Sequence, residues 1–175
     1  MNLRKMLQRF LVPSVVVTGV YYLKYKCKVS PRAEVELSPH LTIGRNSEIG
    51  SFTKIKATEG LLDIGHDVSI ANGCFISAET GGVTIGDFCM ISPNVSIVGN
   101  GYKYDQLDVP ICQQSKVSKG IKIGNNVWLG AGVVVLDGAE IGDGAIVSPN
   151  AVVSGRIPGN VIAQGDPAKV IFKRR

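Results

Sequence analysis

Few side chains in this chain of 175 residues can do metal or covalent chemistry. It has two histidines, His40 and His66, and four cysteines, Cys27, Cys74, Cys89 and Cys112. An imidazole zinc site of the three-histidine kind needs one ligand more than the chain holds, and no two cysteines show C-x-x-C spacing. His66 stands where neighbouring blocks carry Arg45, Asp87, Asn125 and Asp143, so it reads as a turn residue, and His40 reads as a solvated corner residue. The cysteines read as buried free thiols, Cys74 and Cys89 in small inward positions; a reducing compartment follows. Three polar or small-residue tracts remain as candidates. One surrounds the single tryptophan (Trp128-Leu129-Gly130-Ala131-Gly132), one runs from Val98 to Lys119, and one is the cationic end from Lys169 to Arg175.

What positions these tracts is a period of six. Ile123, Leu129, Val135, Ile141, Val147 and Val153 are spaced by six, with Val127, Val133, Ala139, Ala145 and Ala151 as the second small inward residues. The register extends upstream as Ile43, Ile49 and Ile55, then Ile64, Ile70 and Ile76, then Ile85, Ile91 and Ile97. Within a set the step is six; between sets three more residues enter, near Gly60 and near Gly81 and Gly82. Neither a helix nor an ordinary strand has this period. It describes a solenoid of very short strands whose inward side chains stack in columns, three blocks to a coil, with position i near i+18 or i+21. The step from Ile97 to Ile123 is 20 residues too long for one block, so a single loop over residues 98–122 leaves the solenoid there. Val29 to Thr42 reads as an imperfect first coil with Leu37 in the leading position, and the glycines mark corners that need positive φ.

Composition agrees with one solenoid domain and a separate arm. Hydrophobic residues make up 45% of the chain, too many for disorder. The net charge of +5 is concentrated in residues 1–28, which hold Arg4, Lys5, Arg9, Lys24, Lys26 and Lys28 and no acid; residues 29–175 are near neutrality. The body therefore offers no basic stripe for nucleic acid. Leu3, Met6, Leu7, Phe10 and Leu11 fall on one helical face until Pro13, which predicts a short amphipathic helix. The apolar run from Phe10 to Leu23 is too short to span a bilayer, and a secretory signal is disfavoured because Tyr21 to Lys28 runs straight into the first coil. The arm has two readings: a cap on the open end of the solenoid or against a neighbouring subunit, and a peripheral membrane foot with Tyr21, Tyr22 and Tyr25 at headgroup level.

From residue 120 onward the pieces NVWLGAG and GDPAKVI make the pattern more specific than its period. Over roughly residues 29–175 the chain resembles the hexapeptide-repeat acyltransferases, the group that includes galactoside and maltose O-acetyltransferases and polysaccharide-modifying acetyltransferases. The resemblance implies an all-β left-handed parallel β-helix, a homotrimer with inter-subunit active sites, and acetyl-CoA or a related acyl-CoA as donor without a metal. It also implies a sugar or glycan precursor as acceptor in surface polysaccharide synthesis, in the cytoplasm or at the inner membrane face. On matching positions, Trp128, Gly130 and Ala131 stand beside the acyl group, with a backbone N–H polarising the thioester carbonyl. Ser148, Lys169 and Lys173 lie along the coenzyme, the lysines suited to its phosphates, while Pro149 removes one amide from that path. Residues 155–175 form the C-terminal cap.

In that family a loop histidine acts as general base, but here Tyr102 takes the matching place within Val98 to Asp105. Three accounts stay open: Tyr102, or Asp105 through a water, acts as a weaker base; the acceptor is an amine that needs only positioning; or the protein binds sugar or coenzyme without turnover. On the acceptor side the expectation is Asn72, Asn100, Tyr104 as a stacking face, Asp108 and Gln113. Pro110 and the polar run to Lys119 fit an exposed excursion.

Overall fold

A computed structural model describes residues 12–57 and 59–175; the amphipathic helix expected before Pro13 lies outside them. The body is a three-sided parallel β-helix. Face A stacks Lys28–Val29, Glu48–Ile49, Ser69–Ile70, Met90–Ile91, Trp128–Leu129, Ile146–Val147 and Val161–Gln164, and ends on the antiparallel strand Lys169–Lys173. Face B stacks six strands from Glu34–Val35 to Val152–Val153, and face C six from Leu41–Ile43 to Arg156–Ile157. The chain winds A to B to C and climbs one rung per turn. Rungs pair at the expected offsets, Ile43 with Ile64, Ile64 with Ile85, Leu129 with Val147, and Ile97 with Val135 across the long loop.

The alternation of each strand explains its placement. In Leu62–Ile64 the outer two residues are buried and Asp63 is exposed, because successive strand side chains point to opposite faces. The leading aliphatics are all but inaccessible, Ile55, Ile76, Ile97, Leu129, Val135 and Val147 at 0%. One register expectation is corrected. In the first coil Val35, not Leu37, is the inward residue paired with Ile55, so the run from Val35 to Ile43 is two residues longer than a block and leaves Leu37 only half buried.

The corner glycines serve close approach more than positive φ. Down the C–A corner the left-handed slot holds Asn46, Asp67, Phe88, Asn126 and Gly144. A Cβ on Gly65, two residues before Asp67, would lie 2.3 Å from Asp87 Oδ1 and 2.8 Å from its backbone nitrogen. Neighbouring rungs stand roughly 4.8 Å apart, which leaves no room there for a methyl.

Before the first rung, helix α1 (Ser14–Tyr25) closes the open end. Val17 and Tyr21 are buried, the Tyr21 hydroxyl donates to Glu36 O at 2.7 Å and the Tyr25 hydroxyl to Leu41 O at 3.3 Å. Packed also against the strand at Lys28–Val29, α1 reaches all three sides of the first coil. Burial pushes the Tyr21 phenol well above its ordinary range. Of the three tyrosines expected at a headgroup level, only Tyr22 is fully exposed.

Because each rung is held by its neighbours, Ile76→Ala is expected to cost about 2–5 kcal/mol by leaving a cavity. Gly65→Ala is expected to cost about 1–3 kcal/mol by overpacking, though it adds one methyl. Urea titration of both variants checks this; a Gly65→Ala protein as stable as the parent would contradict the close-approach reading.

Candidate functional site

The long loop departs at the B–C corner and is pinned at its root. Gly101–Tyr102 pairs antiparallel with Lys116–Val117, which sets Tyr102 directly across from Lys116. Ser118 Oγ donates to Gly99 O at 2.7 Å and accepts from Gly81 N–H at 2.9 Å. The Asp137 carboxylate accepts from the Lys119 and Gly120 amides at 2.7 and 2.9 Å. Inside the loop the buried Gln114 carboxamide donates to Gln106 O and Val109 O at 2.8 and 2.9 Å. The loop is thus folded on itself, although most of its surface is open.

Under the root sits a charged cluster that sequence reasoning missed. Glu79 Oε1 accepts from Lys116 Nζ at 3.3 Å and from Asn100 Nδ2 at 3.2 Å, and Glu59 lies 3.7 Å from Lys116. Burial raises the Glu79 carboxyl above its ordinary range, with the Glu59 carboxyl adding to the effect and Lys116 opposing it. The hydrogen bond to Glu79 raises the Lys116 ammonium in turn. The one available signal was positional: Glu59 and Glu79 both sit at the enlarged corners beside Gly60 and Gly81, in the two rungs below the loop. Asn100 is therefore turned toward this cluster. Tyr102, Tyr104, Asp105, Asp108 and Gln113 remain exposed on the loop. Cys112 is exposed beside Gln113, correcting its reading as a buried thiol, whereas Cys27, Cys74 and Cys89 are buried and burial raises each thiol.

A second group gathers on face A and the A–B corner. The half-exposed Trp128 donates from Nε1 to Ser92 Oγ at 3.0 Å on the adjoining rung. Gly130 is a packing residue: its amide donates to Val147 O at 2.8 Å, and a Cβ would meet the Pro149 nitrogen at 2.6 Å. Ala131 shares its corner slot with Ser51, Asn72, Pro93 and Pro149. On this corner only the Ser51 N–H is capped by a side chain, Asn72 Oδ1 at 2.8 Å, as Asp87 Oδ1 caps His66 N–H at 2.8 Å on the C–A corner; Pro93 and Pro149 have no N–H to cap. On the next rung stands Pro149, whose side chain has no acceptor, so the Ala131 N–H has no partner among the described residues while its carbonyl accepts from Asn150 N–H at 2.9 Å. The proline expected only to subtract a donor thus leaves one free. Asn72 is two rungs away on the same corner, exposed, with its Oδ1 engaged by Ser51 and its own backbone N–H, over Pro93, likewise without a partner among the described residues.

Ser148 is half buried with its amide donated to Ala163 O at 2.8 Å. Lys169 and Lys173 occupy opposite ends of the last strand of face A and are exposed; Arg174 is tied back to Gly144 O. His66 is a turn residue bracketed by carboxylates, Nδ1 at 2.7 Å from Asp67 and Nε2 at 3.0 Å from Asp87. Among the described residues no three His, Cys, Asp or Glu side chains are grouped to hold a metal. The structure therefore joins Trp128, Ser92, Ala131, Ser148 and Asn72 but keeps them apart from Tyr102 and Asp105. In a triangular prism the B–C corner lies opposite face A.

A profile described as bacterial transferase hexapeptide (six repeats) matches residues 120–155. The repeats of this transferase family are thus present over residues 120–155. It is 31% identical over 163 residues to "Probable acetyltransferase Rv3034c" of Mycobacterium tuberculosis, covering 93% of this chain and 53% of that protein; the chain thus spans about half the length of this curated relative. AntD, an N-acyltransferase from Bacillus cereus solved with dTDP and 3-hydroxybutyryl-CoA, superposes with a TM-score of 0.78 at 18% identity over 90% of this chain and 87% of that one. The hexapeptide-repeat-containing acetyltransferase VCA0836 from Vibrio cholerae gives 0.56 at 22% identity, over 98% and 86%. These likenesses fix the fold as the left-handed parallel β-helix of that family.

The cluster under the loop has a pH signature. A carboxyl whose folded pKa is raised favours the fold in its protonated form, so that contribution is complete at low pH and is lost as the pH rises above 4.5 through the raised value. Protection of the amides in residues 99–120, corrected for intrinsic exchange, should fall across this window in the parent and lose that step in Glu79→Gln. A step of unchanged size in the variant would assign it elsewhere.

Proposed function

We propose that the chain is an acyl-CoA-dependent acyltransferase, with acetyl-CoA as donor and a sugar precursor of a surface glycan as acceptor. The observation that carries this reading is the unpartnered Ala131 N–H on an exposed corner beside Trp128. Attack on a thioester puts negative charge on the carbonyl oxygen, and a fixed donor aimed at it is worth about 3 kcal/mol. Trp128 offers a flat wall for the acyl and pantetheine end, Ser148 a hydroxyl farther along, and Lys169 and Lys173 cations for the phosphates.

The loop residues of the acceptor side are on the opposite side of the prism from Ala131, whereas Asn72 shares its corner, so the reading requires a homotrimer in which face A of one copy meets the loop of the next. There Tyr102 and Asp105 orient the nucleophile, Tyr104 stacks on the sugar, and Asn72, Asp108 and Gln113 complete the polar lining. An amine fits this site best, since its neutral form already has a lone pair and the loop supplies no imidazole. Nitrogen attacks the carbonyl carbon, the tetrahedral adduct expels CoA thiolate, and Asp105 or water takes the ammonium proton. The structures of AntD, described as an N-acyltransferase and solved with dTDP-4-amino-4,6-dideoxyglucose and coenzyme A in a point variant, support an amino-sugar acceptor. Free acyl-CoA is a cytoplasmic metabolite, which supports action there.

One substitution isolates the donor. Pro93 and Pro149 already occupy the corner position of Ala131 on the flanking rungs, so Ala131→Pro suits the backbone and deletes only the N–H. Release of CoA from acetyl-CoA with a panel of sugars and amino sugars should fall about 100-fold or more in kcat/KM, with the thermal midpoint unchanged; an unaltered rate would remove the oxyanion role.

Tyr102→Phe separates the acceptor chemistries. An amine acceptor predicts a rate within about threefold of the parent, whereas an alcohol acceptor served by a phenol base predicts a loss of about 100-fold or more.

A further inference from the structure

Helix α1 uses one narrow stripe to close the prism. Val17, Tyr21 and Tyr25, spaced by four, face the first coil. The other side is apolar and open: Val15, Val16, Val20, Tyr22 and Leu23 are exposed, Leu23 to 82%. A cap needs only the inner stripe, so five outward apolar residues on one twelve-residue helix are unexplained by folding. Their electrostatic setting narrows the partner. Residues 1–33 contain Arg4, Lys5, Arg9, Lys24, Lys26, Lys28 and Arg32 and no Asp or Glu. Lys28 is paired with Glu48 at 2.5 Å, but Lys24 and Lys26 have no carboxylate partner among the described residues. An open groove beside the helix end, lined by Tyr22, Leu23, Lys26, Lys28, Asn46 and Asp67, mixes apolar wall with cations around one carboxylate, Asp67, already hydrogen-bonded to Asn46 and His66.

We propose that the outer face of α1, with Lys24 and Lys26 at its end, docks the protein on an anionic lipid surface. Apolar residues flanked by cations with no acid nearby match the boundary between acyl chains and anionic headgroups. The helix lies along this boundary: no described helix is long and apolar enough to cross a membrane. The cap and the membrane foot are then one element used on two sides. Docking by α1 leaves the loop and face A free, since α1 is at the first rung and Trp128 is four rungs farther along face A.

The test is co-sedimentation of the full chain with vesicles of phosphatidylcholine alone or with about a third phosphatidylserine. The parent should pellet with the anionic vesicles and remain in the supernatant with the neutral ones, and raising the salt should release it. The double variants Val16→Gln/Leu23→Gln and Lys24→Glu/Lys26→Glu change only exposed residues, and each should lower partitioning at least about tenfold with the thermal midpoint unchanged. Failure of the parent to pellet at low salt would overturn the proposal. So would lipid binding unchanged in both variants, or a changed oligomeric mass in Val16→Gln/Leu23→Gln without loss of lipid binding, since that face would then meet protein.

Discussion

Stacking of inward aliphatic side chains, rung on rung, holds every other feature in place. A two-residue strand such as Trp128–Leu129 or Ile146–Val147 cannot persist alone; fixing each residue costs about 1–2 kcal/mol in backbone entropy. It persists because Leu129 packs in a column and its neighbours' amides bond to the rungs on either side. This cooperation makes the exterior tolerant. Corners can lengthen by three residues, or by twenty at the long loop, provided the next aliphatic returns to its column.

That tolerance governs where chemistry can be carried. At the A–B corner the Ser51 amide is consumed by a side-chain cap, whereas a rung followed by proline, as at Asn72 and Ala131, leaves its amide without a partner among the described residues. The same stacking that fixes Ala131 in direction therefore keeps its N–H unspent, a preorganised donor that costs no reorganisation when charge develops. The loop's geometry depends on a different balance. Its root is tied by Ser118 and Asp137 to the prism, and Lys116 joins it to the carboxyl groups of Glu59 and Glu79. Tyr102 is consequently set by a charge cluster it does not itself belong to.

Much of this was legible in the amino-acid order, for physical reasons. A column of identical neighbours forces a strict period, so the inward residues from Ile43 to Val153, the enlarged corners and the departure after Ile97 could all be read directly. Interactions between rungs 18 to 38 residues apart leave no such trace. Nothing in the order says that Asn100 turns to Glu79, that Val35 rather than Leu37 leads the first coil, or that Pro149 frees an amide eighteen residues upstream. Tyr21 and Tyr25 likewise resembled exposed interfacial residues, because the backbone carbonyls that hold them belong to Glu36 and Leu41 on other faces.

The central claim is that a working site needs the corner amide of one copy and the loop of another. The most direct measurement is activity of a mixed assembly made by co-expressing Ala131→Pro chains with chains whose residues 103–114 are replaced by a short Gly-Ser linker, each inactive alone. Random trimers with shared sites should regain about a quarter of the parental rate. A mixture as inactive as its parts would show that both halves must come from one chain and would contradict the account.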